Sequence, residues 1–392
     1  MNPILRLQPG RDRRVKSGHP WAFSNEIVMD AAARAIAPGT AIRLEGDDGV
    51  KHGVWQFNPH SLIAARVLDR NATATPDAAW FQARIGAALK LREQLGIARF
   101  CRLVHAEADG LPGLVVDRFD DVIALQANTA GMEAATPFIV QALRQLLNPR
   151  SILARNDSAI RTLEGLPLES KLLHGAEARA RVEEGGLAFE VDLLSGQKTG
   201  WFFDQRENRA RVAALASGAT LLDAFCHTGG FGLLAAKAGA REVTLLDRSQ
   251  PALELAIASA AANGLQGRVA AQKGEALETL ERMVGGQRRF DIVVADPPAF
   301  AKSRKDIPAA LRAYQRLARI CAQLVNPGGF LFIASCSHHA APLEFAAAVA
   351  EGVWKTRREA RLLASTGAGP DHPVHPMLPE SAYLKAQLLQ LG

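Results

Sequence analysis

Thr220-Leu221-Leu222-Asp223-Ala224-Phe225-Cys226-His227-Thr228-Gly229-Gly230-Phe231-Gly232 is the stretch on which the reading of this chain turns. Its first six residues are an apolar run with one carboxylate, Asp223, the pattern of a buried parallel strand. Cys226–Gly232 then supplies a glycine-bearing turn into a helix predicted over Phe231–Ala238. Strand, glycine turn and helix together form a seat for a nucleotide-like ligand. Glycine lets the backbone come close, and the start of the helix offers free N–H groups. Many α/β proteins carry such a turn for packing alone, so at this point a ligand and a structural turn are about evenly matched.

The residues that follow favour the ligand. Glu242–Leu246 is a second strand ending at Asp247, and an acid at that tip can accept both ribose hydroxyls of an adenosine. Nicotinamide and S-adenosylmethionine sites share the device, so Asp247 does not choose between them. Phe290–Ala295 is another buried strand and runs out into Asp296-Pro297-Pro298-Ala299-Phe300. Open α/β sheets place their chemistry at such carboxyl ends. Proline fixes φ and removes an N–H, so the loop is stiff and presents carbonyls to a substrate. Dehydrogenases have no need of this; enzymes that methylate planar bases do. An ordinary strand-ending turn fits less well once Asp223, Gly229-Gly230 and Asp247 precede it in order.

Strand and helix alternate to the end of the chain, which predicts a parallel, doubly wound α/β sheet. Helix is expected over Pro251–Asn263 and Ala309–Leu324. A third strand, Arg268–Gln272, leads to Gly274-Glu275, where an acid could meet an adenine amino group. Asn326-Pro327-Gly328-Gly329 turns into a fifth strand, Phe330–Ala334, which exits into Ser335-Cys336-Ser337-His338-His339. A structural cysteine belongs inside the apolar run; Cys336 stands at its polar exit, where surroundings that favour thiolate would make it useful. Cys101, Cys226 and Cys321 read as packing residues, and no pair has disulfide or metal spacing. Cys336 with His338 and His339 lacks a partner ligand spacing, so no metal is expected.

At 392 residues the chain calls for two or three domains, placed at 1–72, 73–187 and 188–392. Charged residues at 22% and apolar ones at 48% exclude a disordered chain. A net charge of +6 hints at a polyanionic partner. No apolar run reaches 18 residues and no apolar segment follows the N-terminal arginines, so a soluble, cytoplasmic protein without membrane contact is expected. Residues 1–72 carry short alternating strands at Thr40–Leu44, Gly49–Phe57 and Leu62–Val67, the spacing of a small β-barrel. Basic residues interleave there with Trp21 and Phe23, which suits RNA; a solvated charged loop is the alternative. Residues 73–187 read as α+β without chemistry of their own, with helices at Trp80–Leu95 and Glu133–Leu147.

Five segments together resemble one family over nearly the whole chain. They are R-D-R-R-V-K-S-G-H-P-W-A-F-S-N-E-I at 11–27, S-G-Q-K-T-G-W-F-F-D-Q-R-E-N-R at 195–209, D-A-F-C-H-T-G-G-F at 223–231, D-P-P-A-F at 296–300 and S-C-S-H-H at 335–339. The chain is similar to bacterial class I S-adenosylmethionine-dependent methyltransferases with a PUA domain that form 5-methylcytosine in 23S ribosomal RNA. His227 departs from the aromatic usual there, and Glu275 from the Asp usual in the wider superfamily. The resemblance implies a PUA barrel, a small α+β connector and a Rossmann-like catalytic domain, with large-subunit ribosomal RNA as partner; it also admits a homodimer. It implies Cys336 as nucleophile toward C6 of cytosine and Asp296 as its partner on the ring. Pro297, Pro298, Phe300, Arg13, Lys16 and Trp21 would contact RNA. Asp247 would hold the ribose, Glu275 the adenine, and Thr228, Gly229 and Gly230 the methionine end. Asp223, Phe225 and Arg248 would flank them, and Thr199, Phe202, Asp204 and Arg206 would complete the pocket. Two rivals stay open: a base-nitrogen RNA methyltransferase that uses the D-P-P loop without a thiol, and a non-catalytic RNA-binding assembly factor.

Overall fold

The computed structural model describes residues 2–194, 200–301 and 303–392. They form two compact units. One gathers Met1–Ala180, Asp192–Phe203 and Pro370–Pro379; the other Arg181–Val191, Asp204–Gly369 and Glu380–Gly392.

In the first unit a five-stranded sheet runs in the order Ile4–Arg6, Thr40–Glu45, Lys51–Phe57, Ala65–Asp69, Trp21–Ala22. Its alternating residues Ile42, Leu44, Trp55 and Phe57 form a core with Val15 and Ile27. A second five-stranded sheet, Phe100–His105, Leu114–Phe119, Val122–Ala127, Ser151–Asn156 and Glu169–His174, packs under the helices Ala78–Gln94 and Thr136–Leu147. The single helix expected over Glu133–Leu147 is two, broken at Ala135. Pro137 lies in the first turn of the second one, where its fixed φ suits a helix start.

The second unit carries the site. Its strands are β1 Thr220–Ala224, β2 Glu242–Asp247, β3 Val269–Lys273, β4 Phe290–Ala295, β5 Val325–Ser335, β6 Ala360–Thr366 and β7 Lys385–Leu391. Its helices are α1 Arg206–Ala213, α2 Gly230–Lys237, α3 Gln250–Ala262, α4 Ala276–Gly285, α5 Ile307–Leu324 and α6 Pro342–Trp354. The sheet order is β3-β2-β1-β4-β5-β7-β6. Strands β1 to β5 are mutually parallel, as the alternation requires. β7 instead runs antiparallel between β5 and β6. The expectation of parallel strands to the chain end is corrected here: only a 3-10 turn at Pro379–Ser381 and no α-helix lies between β6 and β7, so the chain has no helical crossover with which to return in the parallel sense. β5 also starts at Val325, ahead of the expected turn, and its pairing with β4 shifts register between Phe290 and Ile292.

Apolar residues of α4, α5 and α6, among them Leu280, Met283, Leu317, Ile320, Phe345 and Val349, cover one face together with Leu222, Val293 and Leu331 of the strands. The strand order reverses between β1 and β4, and in open α/β sheets the crevice outside the carboxyl ends at such a point is where ligands bind.

Candidate functional site

The tips of β2, β1, β4 and β5 lie side by side. Ala224 pairs with Leu246 and with Ala295, and Ala295 pairs with Ile333. The residues emerging from these tips are Asp247, Phe225, Asp296 and, after Ser335, Cys336. Between β1 and α2 the backbone makes a turn in which Phe225, His227 and Gly229 have φ of 63°, 49° and 80°. Left-handed backbone at two non-glycine residues costs free energy and clusters at functional sites. The glycines of the turn also meet packing demands. A Cβ at Gly232 would stand 2.3 Å from Leu245 Cδ2 and 2.9 Å from Val243 Cγ1.

Asp223 is buried beneath this turn. Its Oδ2 accepts the Gly232 N–H at 2.9 Å, while Oδ1 has no hydrogen-bond partner among the described residues. Burial raises its pKa to about 8; the negative charges of Asp296 and Asp247 add to the rise, and the Gly232 N–H and Arg209 oppose it. Arg209 is itself held by a buried, two-pronged ion pair to Glu184, 2.6 and 2.7 Å. A buried carboxyl oxygen left over beneath a helix N-terminus is a place for a cationic or N–H-bearing ligand. At the next tip, Asp247 Oδ2 accepts the His227 N–H at 2.9 Å and Oδ1 the Ser249 N–H at 2.8 Å. Its carboxylate is thus fixed in direction by backbone, with lone pairs left to accept from a ligand.

Asp296 is oriented by residues that the sequence pattern does not single out. Gln205 Nε2 donates to Asp296 Oδ2 at 2.9 Å. Asn208, one helical turn on, donates to Gln205 Oε1 at 2.6 Å, and Thr366 at the end of β6 donates to Asn208 Oδ1 at 2.6 Å. Gln205 and Asn208 are buried. A hydroxyl cluster ties the Cys336 turn to the Asp296 loop. Ser335 Oγ donates to the Tyr314 hydroxyl at 2.8 Å, that hydroxyl lies 3.2 Å from Ser337 Oγ, and Ser337 Oγ accepts the Ala301 N–H at 3.2 Å. Phe300 packs its ring against Tyr314, 4.7 Å between centroids.

Comparison with known proteins fits this geometry. Residues 117–390 match the family model described as S-adenosylmethionine-dependent methyltransferase, and residues 5–70 match a PUA-like domain. The chain belongs to the S-adenosylmethionine-dependent methyltransferase family. A ribosomal RNA large subunit methyltransferase I from Shewanella denitrificans is 36% identical over 389 residues, covering 97% of each chain. The protein of that name from Aeromonas hydrophila is 34% identical over the full length of both. Among solved structures, a candidate SAM-dependent methyltransferase from Streptococcus mutans superimposes with a TM-score of 0.81 at 20% identity, over 99% of this chain and all of that one. The cofactor is S-adenosylmethionine, and the Asp223 oxygen, the glycine turn and Asp247 fit it.

Of the residues singled out in the sequence, the methyltransferase sheet brings together Asp223, Phe225, Thr228, Gly229, Gly230, Asp247, Asp296, Pro297 and Cys336 at its strand tips. Pro298, Arg248 and Glu275 are exposed on the adjoining loops. Glu275 caps the start of α4 without a side-chain cap bond. Arg206 opens α1, and Asp204 accepts the Tyr383 hydroxyl. Thr199 lies outside the described residues. Phe202 belongs to the first unit, as do Arg13, Lys16 and Trp21. Lys16 bonds Asp12 and, at 2.9 Å, Asp48. Trp21 donates its indole N–H to Glu107 at 2.7 Å, and the Arg66 guanidinium lies over its ring.

Asp371 and His372 are buried in the first unit. Asp371 accepts the Arg102 N–H at 3.1 Å and pairs with His372 Nδ1 at 2.9 Å, and its carbonyl accepts from Arg92. Cys101, Cys226 and Cys321 are buried and Cys336 is half-buried. Burial pushes the Cys321 thiol up to about 12 and the Cys226 thiol well above its ordinary value, so neither suits nucleophilic work.

Proposed function

We propose that the protein methylates carbon 5 of a cytosine in large-subunit ribosomal RNA, using Cys336 as a covalent nucleophile. The observation that carries this reading is the pairing of a half-buried thiol at the tip of β5 with a carboxylate at the neighbouring tip of β4, in a methyltransferase whose full-length relatives are named for ribosomal RNA. The PUA-like domain and the net charge of +6 support an RNA substrate, and a ribosomal substrate supports a cytoplasmic location.

Carbon 5 of cytosine is a poor nucleophile. In the proposed reaction Cys336 Sγ bonds to C6, and the C5=C6 electron pair moves onto C5, making it carbanion-like. Asp296, held in direction by Gln205, faces the N3 and exocyclic-amine edge; a proton shared between its carboxyl group and N3 neutralises the negative charge that spreads onto the ring and returns when the thiolate leaves. S-adenosylmethionine, when bound, supplies the electrophilic methyl that C5 takes. A base then removes the C5 proton, the double bond re-forms and the thiolate leaves. Phe300 and the two prolines flank the flipped base. Asp223, Asp247, Glu275 and the Thr228-Gly229-Gly230 turn would hold the cofactor, joined by Phe225, Arg248, Asp204 and Arg206 of the same unit.

Nucleoside mass analysis of RNA treated with the protein and S-adenosylmethionine tests the reading. 5-Methylcytidine that vanishes with Cys336→Ala is expected. Methylated guanine or adenine, formed equally well by that variant, would overturn it in favour of nitrogen methylation.

A further inference from the structure

Lys385 opens β7 opposite Ser335 of β5 in antiparallel register. It is a cation where a strand interior calls for an apolar side chain. Its exposure is 7%, and its neighbours Leu384, Ala386, Leu388 and Leu389 are all core residues. A buried ammonium is costly unless it is compensated. Nζ donates to the Ser337 carbonyl and, at 3.2 Å, to the Tyr383 carbonyl. Carbonyls only accept, so both bonds hold whether or not the amine is charged, but they are stronger to the ammonium. An ammonium has three N–H donors, and these two bonds leave one.

Ser335 and Ser337 bracket Cys336. Lys385 thus pairs in register with the residue before Cys336 and donates to the carbonyl of the residue after it. Tyr314 holds both serine hydroxyls from the α5 side and so ties down the chain on each side of Cys336.

We propose that Lys385 is a positioning cation that holds Cys336 as the thiolate, a role that rests on the cytosine reading above. Burial lowers the Lys385 pKa from its ordinary value, and the charge of Cys336 opposes that shift. The coupling is reciprocal: the thiolate favours the ammonium, so the ammonium favours the thiolate. The other titratable groups around the pair come from several elements. Tyr314 on α5 has its pKa raised, chiefly by burial. Tyr383 ahead of β7 donates a hydrogen bond from its hydroxyl to Asp204, and its ring lies 5.1 Å from the exposed His338 ring. Asp296 stands on the next tip, and His339 follows in the turn.

The test measures the rate of Cys336 alkylation by iodoacetamide against pH on the full-length protein, read by peptide mass mapping; the other cysteines are buried. In wild type the rate should titrate below the free-cysteine range of about 8.5. Lys385→Met should raise that midpoint by about one unit or more and slow alkylation at neutral pH roughly tenfold. Lys385→Arg should restore most of it, and Lys385→Gln, which keeps a donor for the carbonyls without the charge, should behave like Met. The pH profile of kcat should move with the alkylation midpoint while KM for RNA stays put. A wild-type midpoint at or above 8.5, or a midpoint unmoved in folded Lys385→Gln, overturns the proposal; the first needs no variant to fold. If methyl transfer instead persists in Cys336→Ala, the cytosine reading fails whatever the alkylation profile shows.

Discussion

Asp223 is the residue whose chemistry can be followed furthest. With its pKa near 8, the folded protein keeps a proton that the unfolded chain loses in the ordinary carboxylate range around 3.8. The stability this contributes is complete below that range and declines as pH rises through the window up to about 8. A cofactor carrying ammonium and sulfonium charge favours the carboxylate. Its affinity should therefore rise with pH, by up to about tenfold per unit, and level off above pH 8. Calorimetric titration of S-adenosylmethionine from pH 6 to 9 checks this, and Asp223→Asn should flatten the dependence. Gln205 acts through another side chain. Gln205→Ala removes the donor that aims Asp296, and a lost buried bond to a charged group, about 1–3 kcal/mol, should lower kcat ten- to a hundredfold with little change in KM for the cofactor. Asp223, Asp247, Asp296 and Cys336 were legible in the sequence for one reason: each is a polar residue at or near the end of an apolar strand. Gln205, Asn208 and Lys385 were not. Gln205 and Asn208 matter only because they reach Asp296 and Thr366, far away in sequence, and Lys385 looks like a stray charge until β7 lies beside β5.

At the scale of elements, the alternation of strands and helices gave β1 to β4, and the end of β5, to within a residue, because apolar runs buried on both faces leave little ambiguity; the start of β5 at Val325 was missed. The reversed β7 was invisible, since an apolar run carries no direction; only the missing crossover helix between β6 and β7 hints at it. The first turn of α2 leaves no room for a side chain at Gly232. Gly232→Ala would push a methyl into Leu245 and Val243, and overpacking of this kind costs about 1–3 kcal/mol. Thermal unfolding should show a lower Tm, and cofactor binding should weaken as the turn shifts. The hydroxyl cluster makes a separate claim. Tyr314→Phe leaves Ser335 and Ser337 without their shared partner, which should cost about 1–3 kcal/mol of stability and loosen the Cys336 turn, so that kcat falls while cofactor affinity holds.

For the whole molecule, charge is the feature composition conveys and the fold distributes. None of the described helices is long and apolar enough to cross a membrane. The excess of basic side chains suits a polyanion, and the arginines near the N-terminus are expected to contribute phosphate contacts. Replacing Arg11 and Arg13 together by Ala should weaken RNA binding and make the slope of log affinity against log salt shallower by about two, with S-adenosylmethionine affinity unchanged. Filter binding across a salt series measures it. The central claim is the covalent step itself, and trapping tests it most directly. RNA carrying 5-fluorocytidine at the target cannot lose a C5 proton, so the Cys336–C6 bond should persist. Incubation with protein and S-adenosylmethionine should give a denaturation-resistant protein–RNA adduct that maps to Cys336 and is absent with Cys336→Ala. Methyl transfer to normal RNA without any such adduct on the fluorinated one would contradict the account.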